Sequence, residues 1–130
     1  MKDSEVLAAA AEVVTNGYAK DGYAVNEAGC RVDIMSPDAT TFCLVGGVAR
    51  VCGGSTRAAD GIVDKWLLPL LPKRYLPIRS DAGYSIVQKA PAVREYNVSA
   101  RAWNDERDVT KEQVVARLRE ASAIAAKAGE

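Results

Sequence analysis

The chemistry this chain can offer is concentrated in a few side chains. Arg101, Trp103, Asn104 and Asp105 fall in one short block, and Tyr18, Tyr23 and Arg50 stand apart from it. Tyrosine and tryptophan faces stack nucleobases, for roughly 1–3 kcal/mol per base. A guanidinium meets phosphate through two parallel hydrogen bonds, and an Asn-Asp pair supplies directional donors and acceptors. These seven residues form the expected ligand-binding set, with Tyr84 and Arg79 as further stacking and phosphate-binding candidates. A second reading stays open beside it. Trp103 can be a plug in the core, with Asn104 and Asp105 as turn formers hydrogen-bonding their own backbone ahead of the last helix. The block is then a latch and not the wall of a site.

What the chain lacks narrows the chemistry further. Histidine is absent, so no Ser-His or Cys-His nucleophile pair can be assembled and no imidazole can ligate a metal. Cys30, Cys43 and Cys52 are separated by 13 and 9 positions, without the Cys-x-x-Cys spacing of zinc or dithiol sites. They read as reduced thiols, with Cys43 and Cys52 as small core residues. An enzyme would have to draw on Asp33, Asp38 and Asp105 as carboxylates or on Cys43 as a thiolate, and an apolar surrounding raises a thiol pKa. The expectation inclines away from catalysis, with no cofactor and no metal.

The chain of 130 residues is 48% hydrophobic and 26% charged, the composition of one globular domain spanning 1–130. Net charge is zero, but residues 1–38 carry three basic and seven acidic side chains, and residues 57–100 seven basic and four acidic. The densest basic cluster, Lys73, Arg74 and Arg79 around Tyr75, is too small to neutralise the several phosphates that duplex DNA binding rests on. DNA is therefore not an expected partner. No apolar run approaches the roughly 18–20 residues of a membrane helix, and the start Met1-Lys2-Asp3-Ser4-Glu5 lacks the build of a signal peptide. The expected location is the cytoplasm of a bacterial host cell, with no membrane contact.

The elements that must position these groups can be read from periodicity and caps. Ser4 is the expected cap of a helix from Glu5 to Asn16, with Val6, Leu7, Ala10, Ala11, Val13 and Val14 as its apolar stripe and Gly17 as a left-handed stop. Tyr23–Val25 and Cys30–Val32 flank Asn26-Glu27-Ala28-Gly29 as a small hairpin. Ser36-Pro37-Asp38 announces a second helix, with proline in its first turn, which is apolar on nearly every side from Phe42 to Cys52 and therefore central. Gly46-Gly47 inside it would cost about 1 kcal/mol each relative to alanine, so close packing against the alanine face of the first helix, or a ligand, must offset them.

Gly53-Gly54-Ser55-Thr56 lacks both the lysine and the leading strand of a phosphate loop; Gly53 ends one helix and Ser55 or Thr56 caps the next. That helix runs from Arg57 to Leu68, with Ile62, Val63, Trp66 and Leu67 inward. Tyr75–Arg79 and Tyr84–Val87 around Ser80-Asp81-Ala82-Gly83 suggest a second hairpin, and Pro91 a helical turn to Tyr96. Thr110 and Gln113 form a capping box for a final helix with a stripe of Val114, Leu118, Ala121 and Ala125. The fold class is mainly α with one or two short β-hairpins, a small α+β domain. The glycine pair is the expected seat of Trp103.

Taken together, the Phe42-Cys43-Leu44 block with its glycine pair and the Trp103-Asn104-Asp105 block before Thr110 resemble a family of small phage and bacterial proteins of unknown function. The resemblance covers about residues 5–52 and 98–126; this chain has Gly46-Gly47 where that family more often shows Gly-Ala. It implies a phage or mobile-element setting and a mostly helical fold, and brings no reaction with it. In such a setting the expected function is a non-enzymatic binder, an antagonist of host machinery that sequesters a nucleotide-like small molecule or covers a host protein. Self-association through the alanine-rich helices, as a structural or assembly module, is the alternative.

Overall fold

A computed structural model describes residues 1–77, 93–97 and 99–130 of the chain. It is mainly helical, with two short antiparallel strand pairs. Helix α1 spans Asp3–Asn16. It begins earlier than the serine cap implies, because the Glu5 carboxylate reaches back to accept from the Lys2 N–H at 3.4 Å. Ser4 sits inside the first turn. Its N–H donates to the Glu130 carbonyl at 3.0 Å, and its carbonyl accepts from the Ser122 hydroxyl at 2.7 Å, so the C-terminal residues supply what a cap would have supplied. Gly17 is also not the left-handed stop expected. Its backbone is extended, and glycine is needed because a Cβ there would lie 2.1 Å from the Thr40 carbonyl oxygen.

Strand β1, Ala24–Val25, pairs with β2, Thr41–Phe42, Ala24 facing Phe42. The expected partner, Cys30–Val32, contributes only a bridge between Val25 and Arg31. The turn between them does form. Gly29 has φ +82, and the Asn26 side chain accepts from the Cys30 N–H at 2.9 Å. The strand pairing goes elsewhere because the Val25 carbonyl accepts from the Thr40 N–H at 2.9 Å. The helix expected at Ser36-Pro37-Asp38 is a tight turn, with the Asp38 N–H donating to the Ser36 hydroxyl at 3.2 Å. Thr41 and Phe42, a β-branched and an aromatic residue, enter the strand, and helix α2 spans only Leu44–Val51 with Cys43 as its cap.

The first six residues of α2 are all buried, and its glycines have distinct neighbours. A Cβ at Gly46 would lie 1.8 Å from the Tyr23 carbonyl oxygen, whereas one at Gly47 would meet a Val14 side-chain methyl of α1 at 2.8 Å. The pair is thus closely packed, as expected, with the Tyr23 backbone against Gly46 and α1 against Gly47. The Gly53-Gly54 turn, with φ +74 and +95, leads to α3, Thr56–Trp66, whose cap Ser55 accepts from the Ala58 N–H. A 3-10 turn over Leu68–Leu70 follows. Val63 and Leu67 are buried, with Ile62 and Trp66 packed at the edge of the core.

Strand β3, Lys73–Pro77, pairs antiparallel with β4, Val93–Asn97, from Lys73 opposite Asn97 to Pro77 opposite Val93. The second hairpin therefore begins earlier than expected and closes on a later partner. The helical turn expected from Pro91 to Tyr96 gives way to strand, because Val93–Asn97 has β3 to pair with. The expected turn at 80–83, the strand at 84–87, and with them Tyr84 and Arg79, lie outside the described residues. Helix α4, Ala100–Asp105, is capped by Ser99. Helix α5, Lys111–Lys127, starts on the Thr110/Gln113 capping box, and its buried stripe is Val114, Leu118, Ala121 and Ala125. Helix α5 packs along α1, the most extensive helix pairing among the described residues. The small side chains Ala10, Ala11, Ala121 and Ala125 are all spent in that contact cluster.

Because the atom meeting a Cβ at position 46 is backbone and the one at 47 is a rotatable methyl, the two glycines should respond differently. Gly46→Ala is expected to destabilise by about 3 kcal/mol, a fall of roughly 10 °C in Tm. Gly47→Ala should cost less than half of that. Thermal and urea unfolding of both variants checks it, and equal losses would contradict the packing described.

Candidate functional site

Asn104 organises the region around the expected ligand-binding block. It is 1% exposed, the one buried polar residue among those described. Its Oδ1 accepts from the Leu44 N–H at 3.0 Å, one of the four N–H groups that a helix start leaves without an internal partner. Its Nδ2 donates to the Ala19 carbonyl at 3.2 Å and to Asp105 Oδ1 at 3.1 Å. Its backbone carbonyl accepts from the Tyr18 hydroxyl at 2.8 Å. One side chain at the end of α4 thereby fixes the start of α2 and the loop after α1. Asn104 and Asp105 are not turn formers bonding their own backbone; they lie in the last turn of α4 and bond across the fold.

The loop follows α4 residue by residue. Beyond Tyr18 and Ala19, the Lys20 ammonium donates to the Glu106 carbonyl, and the Asp21 N–H donates to Asp105 Oδ1 at 3.0 Å. Asp21 adopts φ +61, the one non-glycine residue with positive φ among those described. That conformation costs an L-residue roughly 1–2 kcal/mol. The four hydrogen bonds to residues 104–106 hold it there.

Behind this zipper lies a cleft of about 300 Å3 lined by Asp21, Gly22, Tyr23, Arg31, Cys43, Arg101 and Asp105. Arg101 places its guanidinium carbon 5.1 Å from the centre of the Tyr23 ring, a cation–π contact that restrains it. The side chain of Arg31 runs past Gly22, its Cγ and Nε each 3.5 Å from where a Cβ would stand. The two guanidiniums therefore come from opposite ends of the chain and lie over adjacent residues. Among the described residues neither forms an ion pair with a carboxylate.

Cys43 closes the inner end of the cleft at the start of α2, its sulfur accepting from the Gly46 N–H at 3.2 Å. Burial pushes its thiol pKa up, outweighing the amides of Gly46 and Val45, which pull it down. Tyr18 is pushed up to about 12, by burial first and by the Asp105 carboxylate second. At neutral pH both groups are protonated.

Of the residues nominated from sequence, the fold brings Tyr23, Arg101 and Asp105 to the cleft and sets Tyr18 and Asn104 directly behind it. Arg50 is elsewhere. Its guanidinium donates to the carbonyls of Ile34 at 2.6 Å and Ser36 at 2.9 Å and stacks over Phe42 at 5.5 Å, so it holds the 34–36 turn. Trp103 is 5% exposed and belongs to the core, and it lines a separate groove with Pro72, Val109 and Gln113. Arg31, Gly22 and Asp21 were not foreseen. The Asp-Gly pair carried a turn signal, whereas nothing near Arg31 in the sequence points to Arg101. Asp33 and Asp38 do not line the cleft. Among the described residues, no group of three or more Cys, Asp or Glu is placed to hold a metal, and no helix is long and apolar enough to cross a membrane.

Fold and cleft define a small, mainly helical protein with a mixed-charge pocket between its first loop and its fourth helix. The chain belongs to a family of unknown function, DUF6197, which it matches over residues 1–124. That span includes the middle region, where the sequence blocks pointed to nothing. No curated protein and no solved structure matches the chain.

Asn104→Ala should cost about 3 kcal/mol, since it strips partners from the buried Leu44 N–H and from the Ala19 carbonyl, and chemical denaturation measures it. Tyr18 gives a pH dependence. Its folded pKa of about 12 lies above the ordinary 10.0, so the folded state holds the proton more tightly. The associated stability is complete below pH 10 and is lost as pH rises toward 12. Tyr18→Phe should flatten the decline of Tm over that window; an unchanged slope would show that Tyr18 does not carry it.

Proposed function

We propose that the cleft binds a small phosphate-bearing, nucleotide-like ligand and holds it without transforming it. The observation that carries this reading is the pair Arg31 and Arg101, set over neighbouring residues with no carboxylate partner among the described residues. Both arginines line a cleft that Asp21 and Asp105 also line, and an anion seated at the guanidiniums would gain charge-assisted hydrogen bonds to them. Guanidiniums suit phosphate because their planar N–H forks match its oxygens. The cleft volume, about 300 Å3, is at the lower end of small-molecule sites, roughly 300–1,000 Å3. That favours one nucleotide-sized molecule over anything larger.

Binding fits better than catalysis because neither the thiol of the cleft nor the tyrosine behind it is poised to exchange a proton near neutral pH. The thiol is raised by burial, and the tyrosine is raised to about 12, whereas general acid–base work favours a pKa near the working pH. A phage or mobile-element protein of this kind would act by sequestering a host nucleotide signal. Self-association through the alanine-rich helices has less to recommend it, since Ala10, Ala11, Ala121 and Ala125 are already buried in the core of the single chain.

Mass spectrometry of small molecules released on denaturing the purified protein, followed by calorimetry with nucleoside mono- and diphosphates, tests the reading. Wild-type protein should bind at least one of them, and Arg31→Gln or Arg101→Gln should weaken it about tenfold or more while the fold persists. Absence of any binding to nucleotides and to inorganic phosphate at millimolar concentration would overturn it.

A further inference from the structure

Arg101 is exposed and stands on α4, a helix of six residues. A long side chain in that position samples many rotamers, and holding it still for a ligand costs binding free energy. Among the described residues it forms no ion pair. The Tyr23 ring meets it instead, with the guanidinium carbon 5.1 Å from the ring centre. A ring attracts a guanidinium through its π face and offers no carbonyl or carboxylate there to take up the N–H groups. The donors of Arg101 thus stay available to a phosphate. Arg50 shows the contrast. Its guanidinium also lies over a ring, that of Phe42 at 5.5 Å, but it donates to the carbonyls of Ile34 and Ser36 and is spent on them.

Tyr23 is itself firmly mounted. Its carbonyl accepts from the Cys43 N–H at 3.3 Å and abuts Gly46, where a Cβ would lie 1.8 Å from the oxygen. The next residue, Ala24, is buried and pairs with Phe42. The Tyr23 side chain is half-buried and packs against the core. Resting on the phosphate-binding reading above, we infer that Tyr23 is a positioning residue, which sets the Arg101 guanidinium for the anion and does not stack the base. Residue type alone suggests the opposite role, a tyrosine face laid against a nucleobase. A base on the guanidinium's side of the ring would have to displace the guanidinium, whereas a phosphate can meet Arg101 where it stands. Affinity for the anion is then shared between Arg31, Arg101 and the ring that holds the second of them.

Inorganic phosphate separates the two roles, because it has no base to stack. Its affinity for the full-length protein is measured by NMR titration. Tyr23→Leu, which removes the ring, should weaken phosphate binding about threefold, the scale of an exposed cation–π contact. Tyr23→Phe, which keeps the ring, should bind phosphate as wild type does. In an Arg101→Gln background Tyr23→Leu should bring no further loss, since the ring then has no guanidinium to hold. Phosphate affinity unchanged or raised by Tyr23→Leu would overturn the inference and leave the arginine reading intact, as would an equal loss with and without Arg101. Failure of the wild-type protein to bind phosphate or any nucleotide would overturn both. If Tyr23→Leu does not fold, the wild-type protein decides. Nuclear Overhauser contacts between the Tyr23 ring and the Arg101 side chain should persist at saturating phosphate, and their loss on adding phosphate would overturn the inference.

Discussion

One buried amide holds the first loop, α2 and α4 in register. An asparagine removed from water must satisfy a carbonyl oxygen and two N–H groups, or each unpaired group costs on the order of 1–3 kcal/mol. Asn104 does so with partners from three places in the chain. It takes the first free N–H of α2, the carbonyl of Ala19 in the loop after α1, and the carboxylate of its own neighbour Asp105. Directional bonds of this kind allow little sliding. The loop cannot shift along α4 without uncovering buried polar atoms, and among the described residues no buried side-chain polar atom lacks a partner.

Small residues make that geometry possible. Gly46 allows the Tyr23 backbone to lie directly against α2, and Gly17 does the same for Thr40. Alanines let α1 and α5 pack along their length. With the backbones this close, the loop from Ala19 to Tyr23 lies against α2 at Tyr23 and is bonded to α4, and its residues Asp21, Gly22 and Tyr23 line the cleft. The glycine cost that sequence analysis attached to α2 is therefore offset by backbone contact, and part of that contact shapes the cleft. Trp103 anchors the other side. Its burial steadies α4 from beneath, so the tryptophan is a plug, while the two residues after it bond to the loop beside the cleft.

Much of the fold was legible because it depends on local patterns. The capping box of α5 and its stripe, the Gly53–Ser55 junction, the Gly29 turn and the burial of α2 all follow from spacing over a few residues. The failures have a shared cause. Ser4, Ser36-Pro37 and Gly17 carry strong local signals, yet each took a role set by a distant partner: Glu130 and Ser122 for Ser4, Arg50 for the turn at Ser36, Thr40 for Gly17. The partner of the first strand was misjudged for the same reason: β1 turns to Thr41–Phe42 and keeps only a bridge to Arg31.

The site divides along the same line. Residue types alone established that this chain can offer guanidinium, carboxylate and aromatic groups but no imidazole, and that its Trp-Asn-Asp block is out of the ordinary. Local spacing could not tell which groups meet, because Arg31 and Arg101 are 70 positions apart and line one cleft only in the folded chain. Tertiary structure alone decided that Arg50 holds a turn, that Trp103 belongs to the core, and that Asp21 and Arg31 join Arg101 and Asp105 around one cavity. Composition and period belong to a residue and its neighbours, whereas a site depends on distances between atoms that packing brings together.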